Sequence, residues 1–399
     1  MNEPESTEEQ VKIVPKRRIV LVGATGYTGN KVLIELLAKG ERPTLAGRNE
    51  SKMKTLAESH GVDLPVAQVD VSSADSLGRL FNGNDVVIST VGPFMKLGLE
   101  TVTAAAHAGA HYFDSAGEAQ FVRRAFELDS IAASRGASIV PAFGYDYVPG
   151  NLAGALALNR AGAEARHVEI GYFLTRPGHG DELQYKSTLR DAYTLTTGGT
   201  RQTIAASSAE NVLGYRAPRP GAPAALIEEP AGRRVHTFDF AGVKRTAMTV
   251  GGSEHFGLPE VFPGLESVDV NLGWFGRWTR VMRAAAALTT PLVRLTKSEL
   301  RLAKMAENLP GASREPDGDG RSLIIAVARD HSGRKLATTA LTGPDPYVMT
   351  GSLLAWGAIH AASPATGLTP GVHGPVAGFG LNTLLQGAQQ AGIHEAVQP

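Results

Sequence analysis

The sequence contains no cysteine. That excludes a disulfide framework, a thiolate nucleophile and any thiolate metal site. It has no excess of either charge, with 39 lysines and arginines against 39 aspartates and glutamates, so the basic footprint of a nucleic-acid binder is missing. It lacks an uncharged apolar run of about 18 residues, the length a membrane-spanning helix needs. The opening stretch MNEPESTEEQ is acidic and polar, without the apolar centre of a secretory signal. Together these absences predict a soluble, cytoplasmic protein. No HExxH pair and no carboxylate cluster at ligand spacing is present, so no metal is expected. His107 and His111 are four apart, but one falls in a helical stretch and the other opens a strand. A G-x-S-x-G nucleophile elbow is also missing.

What is present is a chain of 399 residues, 43% hydrophobic, long enough for two or three domains. Residues 1–16 are polar and read as a disordered tail. Over 17–147, short runs rich in Val and Ile alternate with helical stretches. The runs are RIVLVG (18–23), PTLAG (43–47), VAQVD (66–70), DVVIST (85–90), HYFDSAG (111–117) and ASIVPAFG (137–144). The stretches between them carry apolar residues near a period of 3.6, the last being AQFVRRAFELDSIAASRG. Such alternation predicts a doubly wound α/β domain on a parallel sheet, a Rossmann dinucleotide-binding domain. Over 148–346 the texture changes to strand-like runs at 167–174, 233–242 and 267–275, and a hairpin over 321–343 with Gly333 in its turn. This predicts an α+β domain for substrate or dimerisation on a mixed or mostly antiparallel sheet. GAPAALIEEPAG (221–232) reads as a loop. Residues 347–393 are helical again and are expected to complete the first domain.

The most informative stretch is VGATGYTG, directly after the first predicted strand. Gly23 would permit a tight turn, Gly26 would let backbone approach a pyrophosphate, and Gly29 would let the helix pack close. Thr25 and Thr28 add hydroxyl donors. The second predicted strand ends Gly47-Arg48-Asn49, with Lys52 a turn later and no carboxylate at the position that would hold an NAD ribose. An arginine there suits a 2′-phosphate, which predicts NADP(H). Asp70 either bonds adenine or caps the next helix. The Gly92-Pro93 turn should pass the nicotinamide ribose. The expected cofactor-binding set is therefore Gly23, Thr25, Gly26, Tyr27, Thr28, Gly29, Arg48, Asn49, Lys52, Asp70, Thr90, Val91, Gly92 and Pro93.

The loop Gly144-Tyr145-Asp146-Tyr147-Val148-Pro149 falls at the same edge of the sheet. Tyr145 or Tyr147 could donate a proton, with Asp146 orienting one of them or a water. Alternatively the tyrosines pack the domain junction and Asp146 caps the helix beginning near Pro149. The stretch 274–309 is basic and amphipathic, suited to a membrane surface, an acidic carrier protein or ordinary packing within the chain.

These segments resemble the saccharopine-dehydrogenase-like family of NADP-binding reductases, through GATGYTG (23–29), AGR (46–48), VGPF (91–94), HYFDSAGE (111–118) and GYDYVPGN (144–151). GGT (198–200), SEHFGLP (253–259), DPY within TGPDPYVMT (342–350) and GPVAGFGLNTLLQGAQQAGI (374–393) add to the likeness. The resemblance implies a Rossmann domain, a mixed second domain and a returning C-terminal helix. Within that family the chain looks closer to trans-acting enoyl reductases of lipid or polyketide metabolism than to imine reductases of amino-acid metabolism. It departs from the usual pattern at Tyr147, where a serine follows the aspartate, and at Gly150, where serine is commoner. The expected activity is NADPH-dependent reduction of a C=C bond in an apolar small-molecule or acyl substrate. Reduction of a C=N bond is the first alternative, with Arg176 and Arg190 the candidates for substrate carboxylates. A non-catalytic, lipid-associated NADP-binding protein is the second. An acyl carrier protein, a membrane surface and a second copy of the chain stand as partners to consider, and nucleic acid does not.

Overall fold

The computed structural model describes residues 16–176, 183, 185–195, 211–280, 283, 320–363 and 368–396. The chain opens with β1 (Arg18–Val22), α1 (Tyr27–Ala38), β2 (Thr44–Gly47), α2 (Glu50–Ser59), β3 (Val66–Gln68) and α3 (Ala74–Leu80). It continues with β4 (Asp85–Ser89), α4 (Phe94–Leu97), α5 (Leu99–Ala108), β5 (His111–Asp114), α6 (Ala119–Phe126), α7 (Asp129–Arg135) and β6 (Ser138–Val140). Then come α8 (Val148–Ala161), β7 (His167–Thr175), α9 (Leu189–Thr194), β8 (Asn211–Arg216), β9 (Ala225–Pro230), β10 (Val235–Phe240) and β11 (Val243–Val250). The remainder is α10 (Glu254–Val261), β12 (Ser267–Leu272), β13 (Arg321–Arg329), β14 (Lys335–Gly343), α11 (Pro346–Ala362), β15 (Gly371–Val372), α12 (Pro375–Phe379), α13 (Leu381–Gln390) and β16 (His394–Glu395).

The first sheet is parallel, in the order β15-β6-β5-β4-β1-β2-β3. Its strands read as unbroken apolar runs because both faces are covered: Val20, Leu21 and Val22 are fully buried. The strand order reverses between β1 and β4, and in such sheets ligands lie outside the carboxyl ends at that point. One face is completed from far along the chain. Helix α11, buried over most of its length, packs on α1, β4 and β5.

The second sheet runs β10-β11-β12-β7-β13-β14-β16, with β8 joined to β12 and β9 to β8. Only the β7–β12 pair is parallel among the described strands. The segment read as a loop over 221–232 contains β9, six residues paired antiparallel with β8. Its side chains are mostly exposed, with Glu229 buried, and that inverts the apolar pattern a strand normally shows. The helical stretch after β5 is two helices, broken at Glu127–Leu128. Helix α8 lies between the sheets, against β7, β13 and β14. A single hydrophobic cluster runs from Leu21 and Val86 through Tyr145 and Leu152 to Ile170 and Ile324, so both sheets share it.

Candidate active site

The chain leaves β1 through Gly23, whose φ of +91° is a left-handed conformation that favours glycine. A Cβ on Gly29 would lie 2.2 Å from the Gly23 carbonyl oxygen, so α1 starts pressed onto the turn. Gly26 caps α1 without a side-chain hydrogen bond, and no acidic residue occupies the first helical turn. The helix N-terminus is thus left to an outside anion, with no carboxylate competing for it. Thr90 Oγ1 lies 3.2 Å from the carbonyls of both Val22 and Gly23 and pins the turn to the end of β4. Thr25 is exposed and Thr28 half-buried, whereas the Tyr27 ring packs edge-on against Tyr347, centroids 5.3 Å apart.

Arg48 is exposed just past β2. Lys52 joins Thr25, Ser51 and Thr55 around a recess of about 380 Å³ between the glycine loop and α2. Asn49 uses its side-chain oxygen to cap α2, accepting from the Lys52 N–H at 2.9 Å. The helix-cap alternative for Asp70 is corrected: Ser73 caps α3, while Asp70 accepts from the Ser72 N–H at 2.9 Å in the turn before it. Thr90 and Val91 are half-buried at the end of β4, and Gly92 and Pro93 are exposed and joined by a cis peptide bond.

Beyond β6 the chain enters the tyrosine loop. Asp114 Oδ1, at the end of β5, accepts from the N–H groups of Ala116 and Ala142 at 2.9 and 2.8 Å, which fixes the loop against its neighbour strand. Tyr145, Asp146 and Tyr147 are brought together, but their surroundings differ. The Tyr147 hydroxyl lies 2.8 Å from the Gly117 carbonyl and 2.9 Å from that of Gly251, bridging the two sheets' loops. Tyr145 meets Tyr172 edge-on at 5.4 Å and accepts from Trp274 Nε1 at 3.3 Å. Burial pushes both phenols far above their ordinary range. Asp146 is half-buried, and desolvation pushes its carboxyl up to about 7. It does not cap α8, which begins at Val148 with no side-chain cap.

Two acids that sequence reasoning missed lie close by. Glu254, at the start of α10, is fully buried and accepts from the Tyr172 hydroxyl at 2.6 Å. Burial pushes its carboxyl up to about 8. This pair accounts for Gly150: a Cβ there would lie 2.1 Å from both Glu254 Oε1 and the Tyr172 hydroxyl, so the serine common at this position has no room. Asp345 caps α11 through Oδ1, accepting from the Tyr347 N–H at 2.9 Å. Both acids stood inside segments noted for resemblance, SEHFGLP and DPY, the only signal that could have found them.

Arg176 is engaged with Asp191 and Thr194, each at 2.6 Å, and Arg190 is exposed. In the 274–309 stretch only Trp274–Arg280 and Arg283 are described; the rest, like GGT at 198–200, lies outside the described residues. Trp274 and Phe275 are buried, and Trp278 is 41% exposed. No described helix is long and apolar enough to cross a membrane.

Residues 19–140 match the family model of the saccharopine dehydrogenase NADP binding domain. Over that stretch the chain is similar to that family's NADP binding domain. The glycine loop, the uncapped start of α1 and the carboxylate-free end of β2 all fall inside this NADP-binding domain, and its cofactor class is NADP(H). A trans-acting enoyl reductase of Mycobacterium leprae is 38% identical over 141 residues, 34% of this chain and 34% of that protein. The trans-acting enoyl reductase of Mycobacterium ulcerans is 36% identical over 140 residues, again 34% of each. The matched stretch spans about a third of these relatives' length. The apo saccharopine dehydrogenase (L-Glu forming) of Saccharomyces cerevisiae superposes with a TM-score of 0.57 at 12% identity, over 95% of this chain and 99% of that one. That likeness is one of fold: both layers of the molecule, and not the NADP-binding domain alone, follow the same architecture.

Proposed function

We propose that the protein is an NADPH-dependent reductase that saturates a C=C bond conjugated to a carbonyl in a largely apolar acyl substrate. The observation that carries the reading is Asp146: a half-buried carboxyl near neutrality, in the loop that follows β6 at the ligand-binding edge of an NADP-binding domain. When bound, NADPH would supply the hydride for the carbon β to the carbonyl. Asp146 then gives its proton to the α-carbon, which leaves a saturated acyl group and a carboxylate. A pKa near the working pH lets one group both give that proton and regain it, and partial exposure opens it to solvent for the return.

The tyrosines serve this acid by shape. Tyr147 fixes the loop by its two carbonyl contacts, and the Tyr145 ring packs edge-on against Tyr172. Either phenol could still take the donor role, and single Phe variants separate the possibilities. Arg48 and Lys52 would hold the 2′-phosphate. Relatives named as trans-acting enoyl reductases support an acyl substrate held on a separate carrier protein. Arg176, already engaged with Asp191, speaks against the amino-acid imine as substrate. We place the protein in the cytoplasm, where NADPH and acyl carriers meet.

The test is consumption of NADPH with a short 2-enoyl thioester, followed by absorbance of the reduced nicotinamide. Wild type should turn over, and Asp146→Asn should lower the rate by about a hundredfold or more while NADPH still binds. Wild-type rates in Asp146→Asn, or turnover with imines and none with enoyl thioesters, would overturn the reading.

A further inference from the structure

Glu118 stands at the head of α6, the place from which a side chain ordinarily caps its own helix, yet it makes no such bond. Its carboxylate reaches to a different helix. Oε1 accepts from the Phe94 N–H at 2.8 Å and Oε2 from the Met95 N–H at 2.9 Å, at the first two residues of α4. Pro93, which precedes them, offers no capping bond of its own. Both carboxylate oxygens are thus spent between the loop that follows β4 and the loop that follows β5.

Helix α4 has another anchor. Phe94 is buried, its ring 5.3 Å from that of Phe121 on α6. Gly98 leaves room for the pair, since a Cβ there would lie 2.8 and 2.9 Å from the two rings. What the carboxylate adds is the placement of the backbone just before Phe94. The ladder between β4 and β5 runs as far as Ser89 and Asp114, and the Ser115 N–H still donates to the Ser89 carbonyl at 3.3 Å. Past that point the ladder has ended, and Glu118 joins the two loops again.

Each side of this joint leads to a part of the site. On one side runs the turn 90–93, leaving β4 where the strand order reverses, with Thr90 bonded to the glycine loop. On the other is Gly117, the residue before Glu118. Its carbonyl lies 2.8 Å from the Tyr147 hydroxyl, and a Cβ on it would stand 3.0 Å from Asp146 Oδ2, so the acid rests against its Cα. The charge of Glu118 also acts on Tyr147. The path from the cofactor edge to the acid is short: the Phe94 N–H, Glu118, Gly117, then Asp146.

Saturating a double bond needs the hydride donor and the proton donor at a fixed separation, and a misplacement of about 1 Å costs about a hundredfold in rate. We propose that Glu118 is a positioning residue that sets the separation between Asp146 and the nicotinamide end of the cofactor site. Its service to Asp146 rests on the reductase reading above, and its hold on the turn 90–93 needs only the NADP-binding domain.

Glu118→Gln keeps the length of the side chain but leaves one acceptor for two N–H groups, and Glu118→Ala leaves none. Urea unfolding shows which variants fold, and Glu118→Gln decides if Glu118→Ala does not. Binding is measured without turnover, using NADPH and adenosine 2′,5′-bisphosphate, which carries the 2′-phosphate and lacks the nicotinamide. NADPH should weaken on the order of tenfold, because a turn released from a charged hydrogen bond must be ordered again by the ligand, while the bisphosphate binds as to wild type. With a 2-enoyl thioester, kcat should fall by about a hundredfold and KM for the thioester should stay near its wild-type value. A residue that only caps α4 would lower the unfolding free energy and leave kcat and both affinities unchanged, and that result overturns the proposal. Equal weakening of NADPH and the bisphosphate overturns it too, since the effect would then lie outside the nicotinamide end. If wild type leaves enoyl thioesters unreduced, the reductase reading fails, and the two affinities alone decide for or against the hold of Glu118 on the turn.

Discussion

Replacing Glu254 by Gln should change how stability depends on pH more than it changes stability at low pH. Glu254 is fully buried and holds one partner, the Tyr172 hydroxyl on Oε1, while Oε2 has none. Burial raises the carboxyl from 4.5 to about 8, with the nearby Asp146 charge adding to the rise. A folded-state value above the unfolded one means the unfolded chain ionises first as pH rises. The contribution is therefore fully present below about 4.5, falls away as pH climbs, and is gone once the folded group ionises near 8. At 1.36 kcal/mol per pH unit, that rise corresponds to about 5 kcal/mol as an upper bound. Asp114 and Asp146, each pushed up to about 7, slope the same way, so the wild-type curve alone does not isolate Glu254. The difference between wild type and Glu254→Gln does. Gln keeps the acceptor for Tyr172 and cannot ionise. Urea unfolding at about pH 5 and about pH 8 should show the variant gaining several kcal/mol relative to wild type at the higher pH. Parallel pH dependences in the two proteins would show that Glu254 is not held neutral and would refute the reasoning.

Arg48→Ala should weaken NADPH by about ten- to a hundredfold, the worth of a hydrogen bond to a charged group, and leave NADH nearly unchanged; fluorescence titration with both dinucleotides checks it. Gly29→Ala should fail to bind either dinucleotide and unfold at lower urea concentration, because its methyl would stand 2.2 Å from the Gly23 carbonyl oxygen; wild-type behaviour would remove the close-packing account of the loop. Tyr147→Phe leaves two carbonyls without their bridge and should cost about 1–3 kcal/mol in unfolding free energy. If its only effect is on turnover, with stability untouched, the hydroxyl is a proton donor and not a tie.

The parts of this molecule that could be read from sequence are those where geometry forces a residue type. Gly23 and Gly29 advertise their turn because no side chain fits there, and the first sheet shows itself because both of its faces are covered. The elements that escaped reading break the usual correspondence between pattern and burial. Strand β9 points most of its side chains to solvent and buries a glutamate. Strand β15 is two residues long, too short to carry any period. At the site, Tyr145 and Tyr147 were legible as a pair but their roles were not, since those depend on carbonyls and rings contributed by Gly117, Gly251, Tyr172 and Trp274. Glu254 and Asp345 were passed over for a physical reason: an acid in a sequence is expected at the surface, and these two are enclosed by segments about a hundred and two hundred residues from the loop they serve.

Helix α11 gives the cofactor-binding sheet one of its covering layers, although it is encoded more than two hundred residues after that sheet's sixth strand. The head of the chain is thus unfinished until its tail arrives. Such a domain cannot be traded between relatives as a contiguous cassette: a chimera that swaps residues 17–147 alone would set a foreign sheet against a native lid. Synthesis has the same order built into it, since the glycine loop leaves the ribosome long before α11 and must wait, one face only partly covered by α1 and α2, for the rest of the protein to be made.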